Sequence, residues 1–230
     1  MKFVLIANYL PHVTNFRDKL LEAISNLGYE IHVLAPDLEH YLDECNQLVS
    51  KGYHLHPIPL QRTSTDPLVD IQTLIYTYRL LRKIKPDAIL SYTIKPVIYG
   101  TLAAWLARVP KRFFLLSGLG CAFQNSGQNS KTTKLQQIVY ALYKQALSKA
   151  TATFFQNPDD LKLFEDLSLV NDKSKTVVVS GSGVDVSDFN IVDFPKDVGG
   201  KIKPSFLLVA RLLKDKGIVK SSQLKLSLKK

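Results

Sequence analysis

Short, continuous apolar runs alternate with amphipathic stretches along most of this chain. Lys2–Asn8 is apolar at consecutive positions from Phe3 to Ala7, the pattern of a strand buried on both faces of a parallel sheet. Glu30–Ala35, closed by Pro36, and the apolar run Ala88–Tyr92, too short for a helix, read as further strands. Helical patterns lie between them. After a loop, Tyr9–Thr14, the segment Asn15–Leu27 sets Phe16, Leu20, Ala23, Ile24 and Leu27 on one face and stops at Gly28, a residue suited to a helix C-terminus. Glu39–Lys51 reads as a second helix closed by Gly52, and Tyr53–Pro57 as a third strand. Asp66 and Pro67 then open a long helix to Lys85, the first as a side-chain cap, the second where a missing N–H costs nothing. Strand and helix in strict succession predict a doubly wound α/β domain.

The centre of the chain is Ala88–Phe123. The first run stops at Thr93, Pro96 fits a first helical turn, and Val97–Val109 is apolar nearly all round, as a well-buried helix would be. A second strand, Arg112–Leu116, ends at Ser117-Gly118-Leu119-Gly120. In a parallel strand–helix–strand unit both loops emerge at the carboxyl edge of the sheet, where such folds hold their ligands. Thr93, Lys95, Gly118 and Gly120 are therefore expected to line one cleft.

Beyond a Gly/Asn/Ser-rich loop, Phe123–Thr132, the pattern continues with a helix at Lys134–Ala150, a strand at Thr153–Gln156, a helix at Asp159–Leu167 and a strand at Thr176–Val179. Ser180–Asp185 contains a Gly-x-Gly, but no helical pattern follows and no third glycine stands in register, so it matches a dinucleotide fingerprint only weakly. Residues 1–189 form the expected first domain, 190–204 a polar Gly/Lys/Pro-rich linker, 205–218 the opening strand and loop of a second domain, and 219–230 a low-complexity basic tail. A lone strand forms no sheet, so the second domain reads as a stub and the chain as truncated.

Composition narrows the function classes. The net charge of +10 on 230 residues suggests an anionic partner, yet nine Lys/Arg against one Asp lie in 201–230, leaving +2 for the rest. The basicity belongs to the tail, and no nucleic-acid partner is expected. No apolar run approaches the roughly 20 residues of a membrane span, and the N-terminus lacks a cleavage signal, which places the chain in the cytoplasm. The two cysteines, Cys45 and Cys121, have no metal-ligand spacing, and Cys45 falls on an apolar helix face. In the 66–85 helix, Leu68, Ile71, Leu74, Ile75, Tyr78 and Leu81 make an apolar stripe, while Tyr76, Leu80 and Ile84 spread beyond it, with Arg79, Arg82 and Lys83 at its end. Either a neighbouring element covers the surplus or the helix meets a lipid surface.

Six pieces in order, FVLIAN with NFRDKLLEAISNLGYEIHVLAP, SYTIKPVIYGTLAA, LSGLGCAF, FFQNPDDLKLF, SGSGVDVSDF and FLLVARLLKDKG, resemble the family-four glycosyltransferases of the GT-B fold, over residues 2–218. The likeness is to the bacterial enzymes that extend lipid-linked sugars. It implies two Rossmann-like domains, the first for the acceptor and the second for a nucleotide sugar. It further implies retaining hexosyl transfer from a nucleotide sugar, expected to be a UDP-sugar, to a polyprenyl-diphosphate-linked acceptor. Capsule, O-antigen or exopolysaccharide synthesis would be the setting. No metal and no cofactor are implied, and the place of work is the inner face of the cytoplasmic membrane.

On this resemblance Arg211 and Lys216 match residues that neutralise the donor diphosphate, whose charge grows as the glycosidic bond breaks. Gly118 and Gly120 match a loop that lets backbone approach substrate, and Thr93, Lys95 and Tyr99 match the acceptor side. Lys95 would hold an acceptor phosphate or cap a strand end. After the first strand His12, Thr14 and Asn15 stand where relatives have paired glycines, leaving His12 as an acid/base or a surface residue. No catalytic residue is assigned, and the donor-binding carboxylate of the family has no counterpart here. The chain alone is expected to be inactive. Two other functions remain open, a non-catalytic acceptor-binding or membrane-associated remnant and a GT-B-like nucleotide-sugar epimerase.

Overall fold

The structure, a computed structural model, describes residues 1–62, 64, 66–118, 123, 133–170, 172–188, 190–193, 196, 199–200 and 209. The chain divides into two compact units, Met1–Val184 and Asp185–Lys230. In the second, the described residues include a 3-10 turn, Val186–Asp188, whose Ser187 hydroxyl donates to Asp185 Oδ1 at 2.6 Å. The expected strand at 205–210, Val209 apart, and the whole of 210–230 lie outside the described residues.

The first unit is a seven-stranded, all-parallel sheet of order β3-β2-β1-β4-β5-β6-β7. Its strands are β1 (Lys2–Ile6), β2 (Glu30–Ala35), β3 (His54–Pro57), β4 (Ala88–Tyr92), β5 (Lys111–Leu116), β6 (Ala152–Phe155) and β7 (Thr176–Val178). The helices are α1 (Pro11–Phe16), α2 (Asp18–Asn26), α3 (Leu42–Ser50), α4 (Pro67–Ile84), α5 (Thr101–Leu106), α6 (Lys134–Lys149) and α7 (Pro158–Asp166). This is the doubly wound α/β, Rossmann-like sheet that the succession of apolar runs predicts.

Period-two alternation assigns each strand residue to one of two cores. Phe3, Leu5, Ala7, Ile31, Val33, Leu90 and Tyr92 pack under α1–α3 with Val13, Leu21 and Leu48. Val4, Ile6, Leu34 and Ile89 face Leu81 and Ile84 of α4 and Ala103 and Ala104 of α5. Farther along, Phe114, Leu116 and Phe155 meet α6 and α7 through Tyr143, Leu147 and Phe164. The helix after β1 thus covers one face and the helix after β4 the other. Since β1 and β4 are neighbours, with Ile6 opposite Ser91, a crevice opens at their carboxyl ends.

Four local findings differ from the sequence pattern. The expected loop Tyr9–Thr14 contains the start of a helix at Pro11, and a break at Arg17 separates α1 from α2. Because the turn begins earlier, the buried line runs through Val13, Arg17 and Leu21, while Phe16, Leu20 and Leu27 are exposed. The 39–51 helix likewise resolves into a 3-10 turn at Leu38–His40 followed by α3.

In α4 the buried positions are Asp70, Thr73, Thr77, Leu81 and Ile84, whereas Leu68 is 75%, Ile71 53% and Ile75 43% exposed. Hydrogen bonds make this inversion of the expected stripe. Thr73 donates to the Pro59 carbonyl at 2.7 Å, and Asp70 turns inward to partners described below. The expected cap is present: Asp66 accepts from the Leu68 N–H at 2.9 Å.

The helix after β4 begins with a π turn at Pro96–Gly100 before continuing as α5. Gly100 has a spatial reason to be glycine, since a Cβ there would stand 2.9 Å from both Ile6 Cδ1 and Ser91 Oγ.

Candidate functional site

The crevice has a floor and two walls. Its floor is the pair of chain turns leaving β1 and β4. Asn8 and Thr93 each stand two residues beyond the last paired positions, Ile6 and Ser91. Asn8 Oδ1, Tyr92 OH and Thr93 Oγ1 are all buried and unpartnered, each an unmet hydrogen-bonding demand. Thr93 also adopts φ 69°, a left-handed conformation that a β-branched residue holds only under strain. Buried orphan groups and backbone strain coincide where a doubly wound sheet holds its ligand.

One wall is a charged network between α4 and the helix start after β4. Lys95 Nζ lies 2.7 Å from Asp70 Oδ1, with side chains only 16% and 12% exposed. Tyr99 donates from its hydroxyl to Asp70 Oδ2 at 2.8 Å. Burial and the neighbouring Asp70 carboxylate drive the Tyr99 phenol far above its ordinary value, so it stays a donor. Lys95 is therefore neither a strand-end cap nor a free cation: it and Tyr99 sit in the first turns of a helix, both committed to Asp70. Sequence reading grouped Lys95 with Tyr99 but had no means of seeing Asp70, which sits in an apparently apolar helix.

The opposite wall centres on Arg17, which is 5% exposed. Its Nη1 donates to Ser182 Oγ at 2.9 Å and to the Phe16 carbonyl at 3.2 Å, and its guanidinium lies 5.2 Å from the Tyr92 ring centroid. Gln156 Nε2 donates to the same Ser182 oxygen at 3.0 Å. Arg17 thus ties the carboxyl ends of β4 and β6 to the turn after β7.

His12 stands nearby on α1, packed edge-on to Tyr9 at 4.8 Å, and Arg62 caps the Tyr9 ring at 4.9 Å. Burial first, then the charges of Arg62 and Arg17, push the His12 imidazole below its ordinary value. It is a neutral base at pH 7, on a helix rather than in a loop. Sequence reading missed Arg17 because an arginine interrupts an apolar face; the usable signal was the four-residue spacing Val13, Arg17, Leu21.

The remaining expected residues divide. Gly118, φ 120°, follows β5 at the same sheet edge as Thr93, but a Cβ there would meet nothing within 4 Å, so its conformation rather than a close approach calls for glycine. Asn15 is exposed on α1 and none of these bonds involves it. Gly120, Arg211 and Lys216 lie outside the described residues. Among the described residues no group of three or more His, Cys, Asp or Glu could hold a metal ion.

A carboxyl-edge crevice of this kind defines a class, the Rossmann-like α/β proteins that bind a ligand at a switch point. Residues 5–157 match the family model described as "Glycosyl transferase 4-like", and the chain belongs to that family. Over 214 residues it is 26% identical to the N,N'-diacetylbacillosaminyl-diphospho-undecaprenol alpha-1,3-N-acetylgalactosaminyltransferase of Campylobacter jejuni, covering 90% of this chain and 55% of that protein. The fold matches sucrose-phosphate synthase from Thermosynechococcus elongatus with TM-score 0.58 at 11% identity, over 84% of this chain and 50% of that one. It also matches UDP-GlcNAc 2-epimerase from Methanocaldococcus jannaschii with TM-score 0.54 at 16% identity, over 79% and 46%. The chain spans about half the length of these relatives. Both structural likenesses speak for the fold alone.

Proposed function

We propose that this chain supplies the acceptor side of a membrane-surface glycosyltransferase, which moves a hexosyl group from a nucleotide sugar, a UDP-sugar by our reading, to a polyprenyl-diphosphate-linked glycan with retention. Arg211 and Lys216 neutralise the donor diphosphate in this reading, as their match to the family motif implies. Supporting it is the similarity to the C. jejuni transferase, whose name specifies a diphospho-undecaprenol-linked acceptor.

One observation carries the acceptor assignment. Leu68, Ile71, Ile75, Arg79 and Arg82 recur at three- and four-residue spacing along the exposed side of α4, so the helix presents an apolar line that turns basic toward its end. The apolar end flanks Asp70, the residue that holds Lys95 and Tyr99. An amphipathic surface of that composition suits the boundary of an anionic bilayer, and a lipid-linked acceptor presented there would enter the crevice directly. No helix among the described residues is long and apolar enough to cross a membrane, and peripheral contact at the inner face requires none.

The test has two levels. Vesicles carrying an unlabelled polyprenyl-diphosphate saccharide should retain the chain, and loss of retention in a Leu68→Ser/Ile71→Ser/Ile75→Ser variant ties this to α4. With a UDP-sugar radiolabelled in its sugar added, label transferred to the lipid and the donor's anomeric configuration kept support transfer. An altered free nucleotide sugar with unlabelled lipid assigns the chain to the epimerases instead. Vesicles that never retain the chain overturn the acceptor reading.

A further inference from the structure

Arg17 raises a question of charge that the fold does not answer. Its side chain is 95% removed from solvent, yet its bonds run only to neutral acceptors, the Ser182 hydroxyl and the Phe16 carbonyl. Its Nε is buried without a partner, and among the described residues no carboxylate pairs with it. Tyr92, whose ring it covers, cannot supply the charge, because burial drives that phenol far above its ordinary value and keeps it neutral. A guanidinium stays protonated even when desolvated, and a buried cation without a counter-charge is costly. Further polar orphans, Tyr92 OH and the Thr93 and Asn8 oxygens, lie at the strand ends of β1 and β4. Arg62 adds to the positive field there, and burial together with the charges of Arg62 and Arg17 holds His12 neutral.

We propose that Arg17 is the receptor for a diphosphate at the carboxyl edge of β1 and β4, with its Nε edge as the anchoring donor and Ser182 and Gln156 holding the fork in place. A diphosphate would meet the unpartnered Nε edge of the planar fork through paired N–H···O bonds and provides the charge the protein omits. The anion site stands on the surroundings of Arg17; only the identity of the diphosphate, from the nucleotide or from the polyprenyl acceptor, rests on the transferase reading.

The experiment uses the full chain with three probes: inorganic pyrophosphate, UDP and a water-soluble short-chain prenyl diphosphate, with chloride at matched ionic strength as control. Calorimetry on the native chain should give saturable pyrophosphate binding, weakened at least tenfold by Arg17→Met and less by Arg17→Lys, which keeps the charge and loses the fork. Arg17→Met should be no less stable than the native chain without ligand, because it removes an uncompensated charge.

Tighter binding of UDP than of pyrophosphate assigns the site to the donor, tighter binding of the prenyl diphosphate to the acceptor, and equal binding to the diphosphate alone; each supports the proposal. A second readout is the imidazole of His12, whose titration, followed by NMR, should move upward when pyrophosphate saturates the native chain. No saturable binding, equal binding by native and Arg17→Met chains, or a His12 titration indifferent to saturating pyrophosphate overturns it. None of these results depends on sugar transfer, so the anion site can fail while the transferase reading survives, and the reverse.

Discussion

Replacing Asp70 by alanine perturbs a contact on which two other side chains depend. The carboxylate accepts from Lys95 at 2.7 Å and from Tyr99 at 2.8 Å, with the ion pair almost sealed from solvent. Removing it strands an ammonium in a site 16% exposed and leaves the Tyr99 hydroxyl unpartnered. Breaking a buried pair by deleting one partner costs about 3–5 kcal/mol, and the small exposed fractions argue for the lower end, about 3 kcal/mol. In a unit of this size each kilocalorie moves the unfolding midpoint by roughly 2–4 °C, so a fall of roughly 6–12 °C is expected. Equilibrium urea unfolding of the native chain, Asp70→Ala, Lys95→Met and the double variant closes the cycle. The double variant should recover part of the loss, with a coupling energy above about 1 kcal/mol. A cost below about 1 kcal/mol, or additive single losses, would refute the reasoning and place the pair among surface ion pairs, which contribute about that little.

Other outcomes follow from particular contacts. Gly100→Ala pushes a methyl group to within 2.9 Å of Ile6 and Ser91 and should lower stability by about 1–3 kcal/mol, the usual cost of overpacking; an unchanged urea midpoint would contradict the close approach. His32 and His56, 2.9 Å apart across β2 and β3, are both held below the ordinary imidazole value, chiefly by burial. The fold therefore prefers them neutral, so their contribution is full above about pH 6.5 and is lost as pH falls from there through the lower folded values. The urea midpoint should drop between pH 7.5 and 5.5, and His32→Leu should flatten that slope; a midpoint equal at both pH values would contradict the assignment. Arg82→Glu with Lys83→Glu, both exposed, should weaken flotation with anionic vesicles and leave stability within about 0.5 kcal/mol. Unchanged flotation would remove the basic end of α4 from membrane contact.

The sequence is most legible where burial acts on both faces of an element. Glu30–Ala35 and Ala88–Tyr92 are strands over the residues that the sequence reading delimits, because short apolar-rich runs bounded by Pro36 and Thr93 suit strands buried in a parallel sheet. The meeting of Thr93 and Gly118 at one edge follows from parallel sense alone. The α4 face was not legible. Counting apolar positions favours Leu68, Ile71 and Ile75, but the inward bonds that Thr73 donates and Asp70 accepts outweigh them, and such bonds depend on Pro59, Lys95 and Tyr99, outside the helix. Arg17 was hidden for the opposite reason. It occupies a core position, yet a charged residue is assigned outward unless its counterpart is known, and that counterpart, by our proposal, is a ligand.

The central claim is that a lipid-linked diphosphate reaches the crevice along α4, between Lys95 and Arg17. A photoreactive polyprenyl-diphosphate saccharide, with a diazirine on its first isoprene unit, incorporated in anionic vesicles with the full chain and mapped by mass spectrometry, tests it directly. The account predicts adducts within Pro67–Ile84 and the segment from Tyr92 to Gly100, competed away by unlabelled acceptor. Adducts confined to the opposite edge of the sheet, around the starts of β2 and β3, or labelling that the acceptor fails to compete, would contradict it.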